Sequence, residues 1–305
     1  MSSRLERTEQ KLKEEKKEEL QEKKEKAKIK LKKGLWLIVL LFALTLVYAF
    51  TIEPYRLQVH EHLVTTTKDI TENYNGLKIV HFSDLHYGST IKENELKKVV
   101  DTINKEKADI VVSTGDLVER TYHLTDKEVK LLTNELKRIE ANLGKYAIIG
   151  NHDETNKSFE SIINDSDFIY LKNDYDLIYN QDNSPILIYG TDDLTIGKPN
   201  MDKLNDENIK DIKFRIILTH EPDYIYEFIY KYDTDLILAG HSHNGQVRLP
   251  LIRPIALPYG SRKLYKPYYN INGKDIFISN GIGTSTLKIR FNSVPSINVY
   301  RLKKK

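Results

Sequence analysis

Short aliphatic runs that end in a cluster of polar residues recur along the chain from Leu77 onward. Runs of β-branched and aliphatic residues bounded by Gly or polar residues are typical of buried strands. Two of them, Pro185–Asp193 and Asp275–Gly283, carry few ligand-type side chains at their ends. The runs that end in residues rich in Asp, His or Asn are Leu77–Gly88, Asp109–Glu119, Lys145–Glu154, Arg215–Asp223 and Asp235–Gln246.

Between several of these runs the pattern changes to one typical of helices, as in Lys92–Lys107 and Asp126–Asn142. Alternation of strands and helices predicts an α/β fold with at least part of its sheet parallel. In such sheets the ligand-binding groups lie at the carboxyl ends of the strands. The polar clusters fall at that end of five predicted strands, so we expect them to meet in one site.

A different pattern precedes this region. Gly34–Ile52 has nineteen residues without a charge, and at about 1.5 Å per residue it just spans a hydrocarbon core of about 30 Å. A core helix of this length would show a polar face. A signal peptide cleaved after Val47-Tyr48-Ala49 is an alternative, but the polar region before the apolar stretch is longer than that of a normal signal. The pattern therefore favours one uncleaved transmembrane helix.

Charge sets the expected orientation of this span. Residues 1–33 contain thirteen basic and eight acidic residues, a balance of +5, whereas the whole chain has +3. The basic excess on the N-terminal side predicts a cytoplasmic N-terminus and an extracytoplasmic large domain at the cell membrane. The tail itself fits either a solvated helix with i,i+4 ion pairs or a loosely ordered arm. Its lysines also suit anionic lipid headgroups.

Composition excludes several classes of function. The body that follows the tail has a balance of −2, so it lacks the basic excess of a nucleic-acid-binding domain, and no nucleic-acid partner is expected. The chain has no cysteine, which rules out disulfide scaffolds, thiolate zinc sites and cysteine nucleophiles.

The histidines point to a metal centre. Of nine histidines, five lie in the strand-end clusters, together with Asp84, Asp116 and Asn151. So many converging polar groups would be costly to desolvate without a cation. The five are His86, His152, His220, His241 and His243.

This donor set has imidazole, carboxylate and amide groups and no sulfur, which suits Mn, Fe, Zn or Co. Eight groups exceed what one tetrahedral ion uses, so two divalent ions that share a carboxylate are expected. Paired metals clamp the attacking and leaving oxygens of a phosphoryl displacement.

The motifs also resemble a known family. Asp84-x-His86, Gly115-Asp116, Gly150-Asn151-His152-Asp153, His220 and Gly240-His241-x-His243 resemble the five ordered motifs of the calcineurin-like metallophosphoesterases. The sequences SDLHYG, GHSHNGQ and SNGIGTSTLKIR are similar to those of one subgroup of this family, the membrane-associated bacterial phosphodiesterases. The resemblance covers nearly all of Leu77–Leu302. It implies a sandwich of two mixed β-sheets flanked by helices, here preceded by one transmembrane helix.

The resemblance implies a role for each motif residue. Asp84, His86 and His243 would hold one metal, and Asn151, His220 and His241 the other. Asp116 would bridge the two metals together with a solvent molecule, whose hydroxide form attacks phosphorus. His152 would stabilise the developing charge or protonate the leaving group. Asp153 would orient the His152 ring, or alternatively lie in a solvated turn.

These inferences divide the chain into a charged tail (1–33), a membrane anchor (34–52), a connecting segment (53–74) and a metallophosphoesterase domain (75–305). The expected reaction is hydrolysis of a phosphodiester, with a phosphomonoester or a lipid-linked pyrophosphate as alternatives. Lipid- or cell-wall-linked substrates fit a domain beside a bilayer. A non-catalytic binding module for a phosphorylated ligand or partner is the alternative function. The basic, proline-rich stretch Arg248–Tyr269 fits a substrate-phosphate contact, a lipid-surface contact or a plain surface loop.

Overall fold

The computed structural model describes residues 2–305, and for residues 2–8 and 10 it describes the backbone alone. The chain forms two compact units, one that extends to Tyr48 and one that comprises Ala49–Lys305. Helix α1, Ser2–Thr51, accounts for the first unit and contributes its last residues to the second. Among the described residues, one helical stretch is long and apolar enough to cross a membrane, with a mean hydropathy of 2.5 over its most apolar window. The tail is thus helical and continuous with the predicted span.

The second unit contains two six-stranded sheets. The first has the order β1-β12-β2-β3-β4-β5 and the second the order β10-β11-β9-β8-β7-β6. Their strands are β1 Gln58–Thr66, β2 Lys78–Phe82, β3 Ile110–Ser113, β4 Gly144–Ala147, β5 Ile169–Tyr170, β6 Asp174–Ile178, β7 Ile186–Gly190, β8 Arg215–Thr219, β9 Leu236–Ala239, β10 Tyr268–Ile271, β11 Lys274–Ile278 and β12 Ser296–Lys304.

Both sheets are mixed. In the first, β2 to β5 are parallel, β12 is antiparallel to β2, and β1 is parallel to β12. In the second, β7, β8, β9 and β11 are parallel, whereas β6 and β10 are antiparallel edge strands. This arrangement confirms the predicted α/β fold with two mixed sheets.

The central strands are apolar on both faces because each sheet is covered on both sides. Alternate residues of β2 show this: Ile79 packs in the core between the two sheets, and Val80 packs under the helices of the first sheet. A third apolar cluster covers the outer face of the second sheet. The helices of this unit are α2 Glu93–Lys105, α3 Asp126–Lys137, α4 Phe159–Asp165 and α5 Ile225–Phe228.

The segment 53–74, which we expected to be a connection, contains strand β1. Its residues pair in parallel with β12 from Gln58↔Ser296 to Thr66↔Lys304. The strand has the alternating burial of an edge strand, and His62 packs against Phe277 and Tyr300 with ring-centroid distances of 4.8 and 5.4 Å. The segment is therefore part of the first sheet.

Candidate metal centre

The predicted ligand residues follow the carboxyl ends of five strands. Asp84 and His86 follow β2, Asp116 follows β3, Asn151 follows β4, His220 follows β8, and His241 and His243 follow β9. Because β2, β3 and β4 belong to the first sheet and β8 and β9 to the second, both sheets contribute to the same cluster.

The backbone turns sharply as soon as these strands end. Five of the residues adopt positive φ angles, which cost L-residues energy and often mark functional sites. Backbone hydrogen bonds hold the turns: Asp84 N–H donates to Gly115 O at 2.9 Å, and His86 N–H donates to Asp116 O at 3.0 Å. The φ angles are 52° at Asp84, 44° at His86, 57° at Asp116, 65° at His241 and 47° at His243.

One group that could hold a metal ion consists of Asp84, His86 and His243, all of them buried. His86 Nε2 lies 3.0 Å from His243 Nε2, and His243 Nε2 lies 3.4 Å from Asp84 Oδ1. Two ring nitrogens and a carboxylate oxygen thus converge on one point.

A second group consists of Asp116, His220 and His241. His220 Nε2 lies 3.3 Å from Asp116 Oδ2, and His241 Nδ1 lies 3.2 Å from His220 Nε2. The amide oxygen of Asn151, Oδ1, is 3.2 Å from the same His220 nitrogen. Asn151 therefore completes this group as a fourth donor.

Asp116 joins the two groups through a single oxygen. Its Oδ2 lies 3.3 Å from His220 Nε2 in one group and 3.6 Å from His86 Nε2 in the other. The remaining oxygen, Oδ1, accepts the backbone N–H of His152 at 2.8 Å. This bond fixes the carboxylate so that Oδ2 faces both groups.

The opposite edge of each ring is held by a polar partner. His220 Nδ1 lies 2.6 Å from Thr114 O, and His241 Nε2 lies 2.7 Å from Tyr259 O. A carbonyl partner fixes the proton on that nitrogen and leaves the other nitrogen as an acceptor or metal ligand. In their neutral forms, His220 and His241 thus turn the lone pairs of Nε2 and Nδ1, respectively, toward the cluster.

The cluster fits cations. Buried ring nitrogens and carboxylate oxygens approach one another to 3.0–3.6 Å, and the buried carboxylates need positive charge beside them. Burial lowers the pKa of His241 and of His243 to about 4, so both rings are neutral near pH 7. Burial opposes protonation of His220, but Asp116 outweighs it and raises the His220 pKa. A metal would therefore displace a proton from His220.

His152 lies at the edge of the cluster, partly exposed. Its Nδ1 accepts the backbone N–H of Arg120 at 3.1 Å. Burial disfavours the charged ring, but the carboxylates of Glu119 and Asp116 outweigh burial and raise the pKa of His152.

Glu119 is a site residue that the sequence analysis missed. Its Oε2 lies 3.1 Å from His86 Nδ1 and its Oε1 lies 3.4 Å from His152 Nδ1. One carboxylate thus contacts two rings of the site. The spacing Gly115-Asp116-x-x-Glu119 was the signal that could have identified it, because it places a second carboxylate just after the bridging Asp116.

Asp153 is placed differently from our expectation that it would orient the imidazole or lie in a solvated turn. It is buried, and its carboxylate accepts backbone N–H groups of Asp116 at 2.8 Å, Leu117 at 2.8 Å and Gly150 at 3.0 Å. The carboxylate beside the His152 ring is that of Glu119. Asp153 therefore ties together the two loops that carry Asp116 and Asn151.

Two glycines allow these loops to approach. A Cβ at Gly150 would lie 2.4 Å from Asp116 Oδ1, and one at Gly240 would lie 2.1 Å from Ser83 Oγ and 2.6 Å from Asp84 Oδ2. Such contacts are far below van der Waals distance. The glycines of both motifs thus make room for the carboxylates of the site.

Comparison with known proteins agrees with this geometry. A family model described as calcineurin-like phosphoesterase matches residues 77–245. The chain is 33% identical over 261 residues to the uncharacterised metallophosphoesterase YkuE of Bacillus subtilis, covering 84% of this chain and 89% of that protein. It is 24% identical over 262 residues to the phosphodiesterase YaeI of Escherichia coli, covering 84% and 92% respectively.

Among solved structures, the calcineurin-like phosphoesterase YfkN of Bacillus subtilis superposes with a TM-score of 0.44 at 11% identity, covering 68% of this chain and 82% of that one. The family match spans every strand-end motif from Asp84 to His243. The resemblance read from the motifs is thereby confirmed, and the chain belongs to the calcineurin-like phosphoesterase family.

Proposed function

We propose that the protein is a membrane-anchored phosphodiesterase with a two-metal centre. The observation that carries this proposal is the position of Asp116 Oδ2, within 3.6 Å of ring nitrogens from two separate groups of donors. In this assignment Asp84, His86 and His243 hold one cation and Asn151, His220 and His241 hold the other. Asp116 bridges them. The metals are two divalent ions drawn from Mn, Fe, Zn or Co.

The chain's own residues then have distinct tasks. The cations, when bound, would supply an activated solvent nucleophile and offset negative charge on the phosphoryl oxygens. The raised pKa of His152 favours the imidazolium form, in which Nδ1–H lies beside Glu119 Oε1 and Nε2 carries the second proton. His152 would donate the Nε2 proton to the leaving oxygen and return to its neutral form. The Glu119 carboxylate balances the positive charge of the His152 ring when that ring is doubly protonated.

The substrate class follows from the reaction centre and from the anchor. A phosphodiester is the first candidate, and the relative YaeI is named as a phosphodiesterase. A phosphomonoester and a lipid-linked pyrophosphate are the alternatives. Residues 34–52, nearly all of them in α1, would anchor the chain in the membrane, with the N-terminus in the cytoplasm. The second compact unit, which we call the catalytic unit, would lie outside.

The test of the centre uses the full chain purified in detergent. Metal content and hydrolysis of bis-p-nitrophenyl phosphate and p-nitrophenyl phosphate are measured after chelation and after each metal is added back. We expect turnover that returns with metal and is lost in Asp116→Asn, with Asp165→Asn, an exposed aspartate at the end of α4, as the matched control. Two bound ions without turnover on either substrate would favour the binding-module alternative, and the absence of bound metal would refute the centre.

The test of topology exploits the absence of cysteine from the chain. Single-cysteine variants at Lys16 in the tail and at the exposed Lys157 in the catalytic unit are treated with a membrane-impermeant maleimide on intact cells. Labelling at position 157 alone supports the proposed orientation, and labelling at position 16 alone refutes it.

A further inference from the structure

Two exposed loops beside the metal centre carry aliphatic side chains that no part of the described chain covers. Leu251 is fully exposed, at 106%, and Ile255 and Leu287 are exposed at 71% and 64%. Clusters of exposed aliphatic residues usually mark a contact with another molecule or a membrane. We call Leu249, Leu251, Ile252, Ile255 and Leu287 the apolar rim.

The apolar rim is one surface because its two loops are tied together at their base. The side-chain amide of Gln246 donates to Ser285 O at 3.1 Å and to Leu287 O at 3.0 Å. The backbone N–H of Arg248 donates to Phe291 O at 2.8 Å. The loop that follows His243 and the loop around Leu287 therefore project from adjacent positions on the surface.

The same base is tied to the residues at which the chain leaves the candidate membrane span. The backbone N–H of Arg290 donates to Ala49 O at 3.0 Å, and that of Ser293 donates to the carboxylate of the buried Glu53 at 2.7 Å. Phe50 and Ile52, which lie between these two contacts, are about half exposed. The apolar rim and the chain's exit from the span thus belong to the same part of the catalytic unit.

The two loops that carry the apolar rim contain only basic charges. Residues 246–266 and 284–292 contain no Asp or Glu. Exposed basic side chains occur in the same loops as the aliphatic ones, which is the pattern of a surface that enters an anionic lipid interface. The exposed basic residues are Arg253, Arg262, Lys263, Lys266 and Lys288.

From these contacts we propose that the apolar rim docks onto the surface of an anionic lipid bilayer as a second membrane contact in addition to the anchor. This inference rests on the membrane anchorage proposed above. His241 Nε2 contacts Tyr259 O at 2.7 Å, and His243 Nδ1 lies 3.2 Å from Arg290 Nη2, so both loops are attached directly to the metal centre. Docking therefore brings the centre close to phosphoesters held at the bilayer surface.

The test uses the full chain reconstituted in phosphatidylcholine vesicles with or without phosphatidylglycerol. Because the chain lacks cysteine, single cysteines introduced as Leu251→Cys and Leu287→Cys take an environment-sensitive fluorophore at one site. The control is Tyr179→Cys, an exposed position just after β6, at the sheet edge opposite the metal centre. Metal content checks that each variant is folded.

We expect the fluorescence emission of the labels at 251 and 287 to shift to the blue and to be quenched by spin-labelled lipid. Both effects should be stronger in vesicles that contain phosphatidylglycerol. The label at 179 should be quenched only by aqueous iodide. Neutralising Arg253 and Lys288 together, as Arg253→Gln and Lys288→Gln, should weaken docking by about fivefold per charge. Equal quenching of the labels at 251 and 179 by spin-labelled lipid overturns the proposal. A blue shift at 251 without lipid quenching, or one that persists in detergent, also overturns it, because the rim would then contact protein.

The proposed function and this inference can fail separately. Hydrolysis of soluble bis-p-nitrophenyl phosphate and resistance of the chain to carbonate extraction test the centre and the anchor, and neither depends on where the label at position 251 lies.

Discussion

Glu119 Oε2 lies 3.1 Å from Nδ1 of His86, on the side of the ring that faces away from the metal groups. With a metal on Nε2, Nδ1 would carry the proton, and the carboxylate beside it would orient the ring and increase the basicity of Nε2. We expect Glu119→Gln to reduce metal affinity or turnover by about 10–100-fold. Metal titration and kcat for bis-p-nitrophenyl phosphate measure the effect. Glu154→Gln, an exposed neighbour, is the control, and equal behaviour of the two variants would refute a positioning role for Glu119.

His152→Gln should lower kcat while both metals remain bound, because His152 lies outside the assigned ligand sets. General acid catalysis contributes about 10²–10⁴-fold, and the loss should be large for an alkyl leaving group and small for p-nitrophenolate, which needs no proton. Comparison of kcat for two such diesters tests this. The exposed His123→Gln serves as control. Loss of one metal in His152→Gln would instead make His152 a ligand.

Gly240→Ala should destabilise the protein by about 1–3 kcal/mol and weaken metal binding, because the added Cβ would meet Ser83 Oγ and Asp84 Oδ2. Denaturant unfolding with and without metal measures both effects. Gly273→Ala is the matched control, because Gly273 has φ +76° but open space around it. This substitution should lower the free energy of unfolding by about 1–2 kcal/mol without changing metal affinity. Unchanged metal affinity in Gly240→Ala would contradict the expectation.

His81 should make the fold sensitive to acid. It is buried in β2, with Nε2 2.8 Å from Thr114 Oγ1 and Nδ1 3.2 Å from Tyr300 Oη, and burial lowers its pKa to about 3 from 6.5. Between these values the unfolded chain binds a proton that the folded chain does not. The free energy of unfolding should therefore fall by about 1.4 kcal/mol per pH unit as the pH drops through this range.

The measurement for His81 is denaturant unfolding of the metal-free protein at several pH values, compared with His81→Gln. The other buried histidines contribute equally to both proteins, so the difference in slope belongs to His81. Identical slopes between pH 6.5 and pH 3 would show that His81 stays protonated in the folded state.

The sequence predicted the elements that have a local signature. Helices expected at Lys92–Lys107 and Asp126–Asn142 are observed at Glu93–Lys105 and Asp126–Lys137. The polar clusters follow strands as expected, since a buried strand and the turn that ends it are both encoded by neighbouring residues. The proximity of Asp84 to Asp116, and of His220 to His241, could be inferred because carboxyl ends of parallel strands share an edge. That the two pairs meet across two sheets was implied by the family resemblance.

Features that depend on distant residues were not readable. Strand β1 was missed because it is an edge strand whose pairing partner, β12, lies at the other end of the catalytic unit. Glu119 was missed because its spacing from Asp116 is a weak signal in a charged sequence, and only the distance to His86 shows that it belongs to the site. The contacts of Asp153 could not be foreseen, since they involve backbone N–H groups, which every non-proline residue carries.

The pairing of β1 with β12 has a consequence for biogenesis. Among the described residues, β12 is the one hydrogen-bonded neighbour of β1 in the sheet, and it also forms the link to β2. During synthesis, β1 must wait for β12, which follows all the other strands of the two sheets along the chain. Such long-range pairing gives a high contact order and slow closure of the sheet. Until β12 is in place, β1 and β2 each present an unpaired strand edge that can aggregate. In the topology proposed above, translocation across the membrane would have to deliver β12 before the sheet can close.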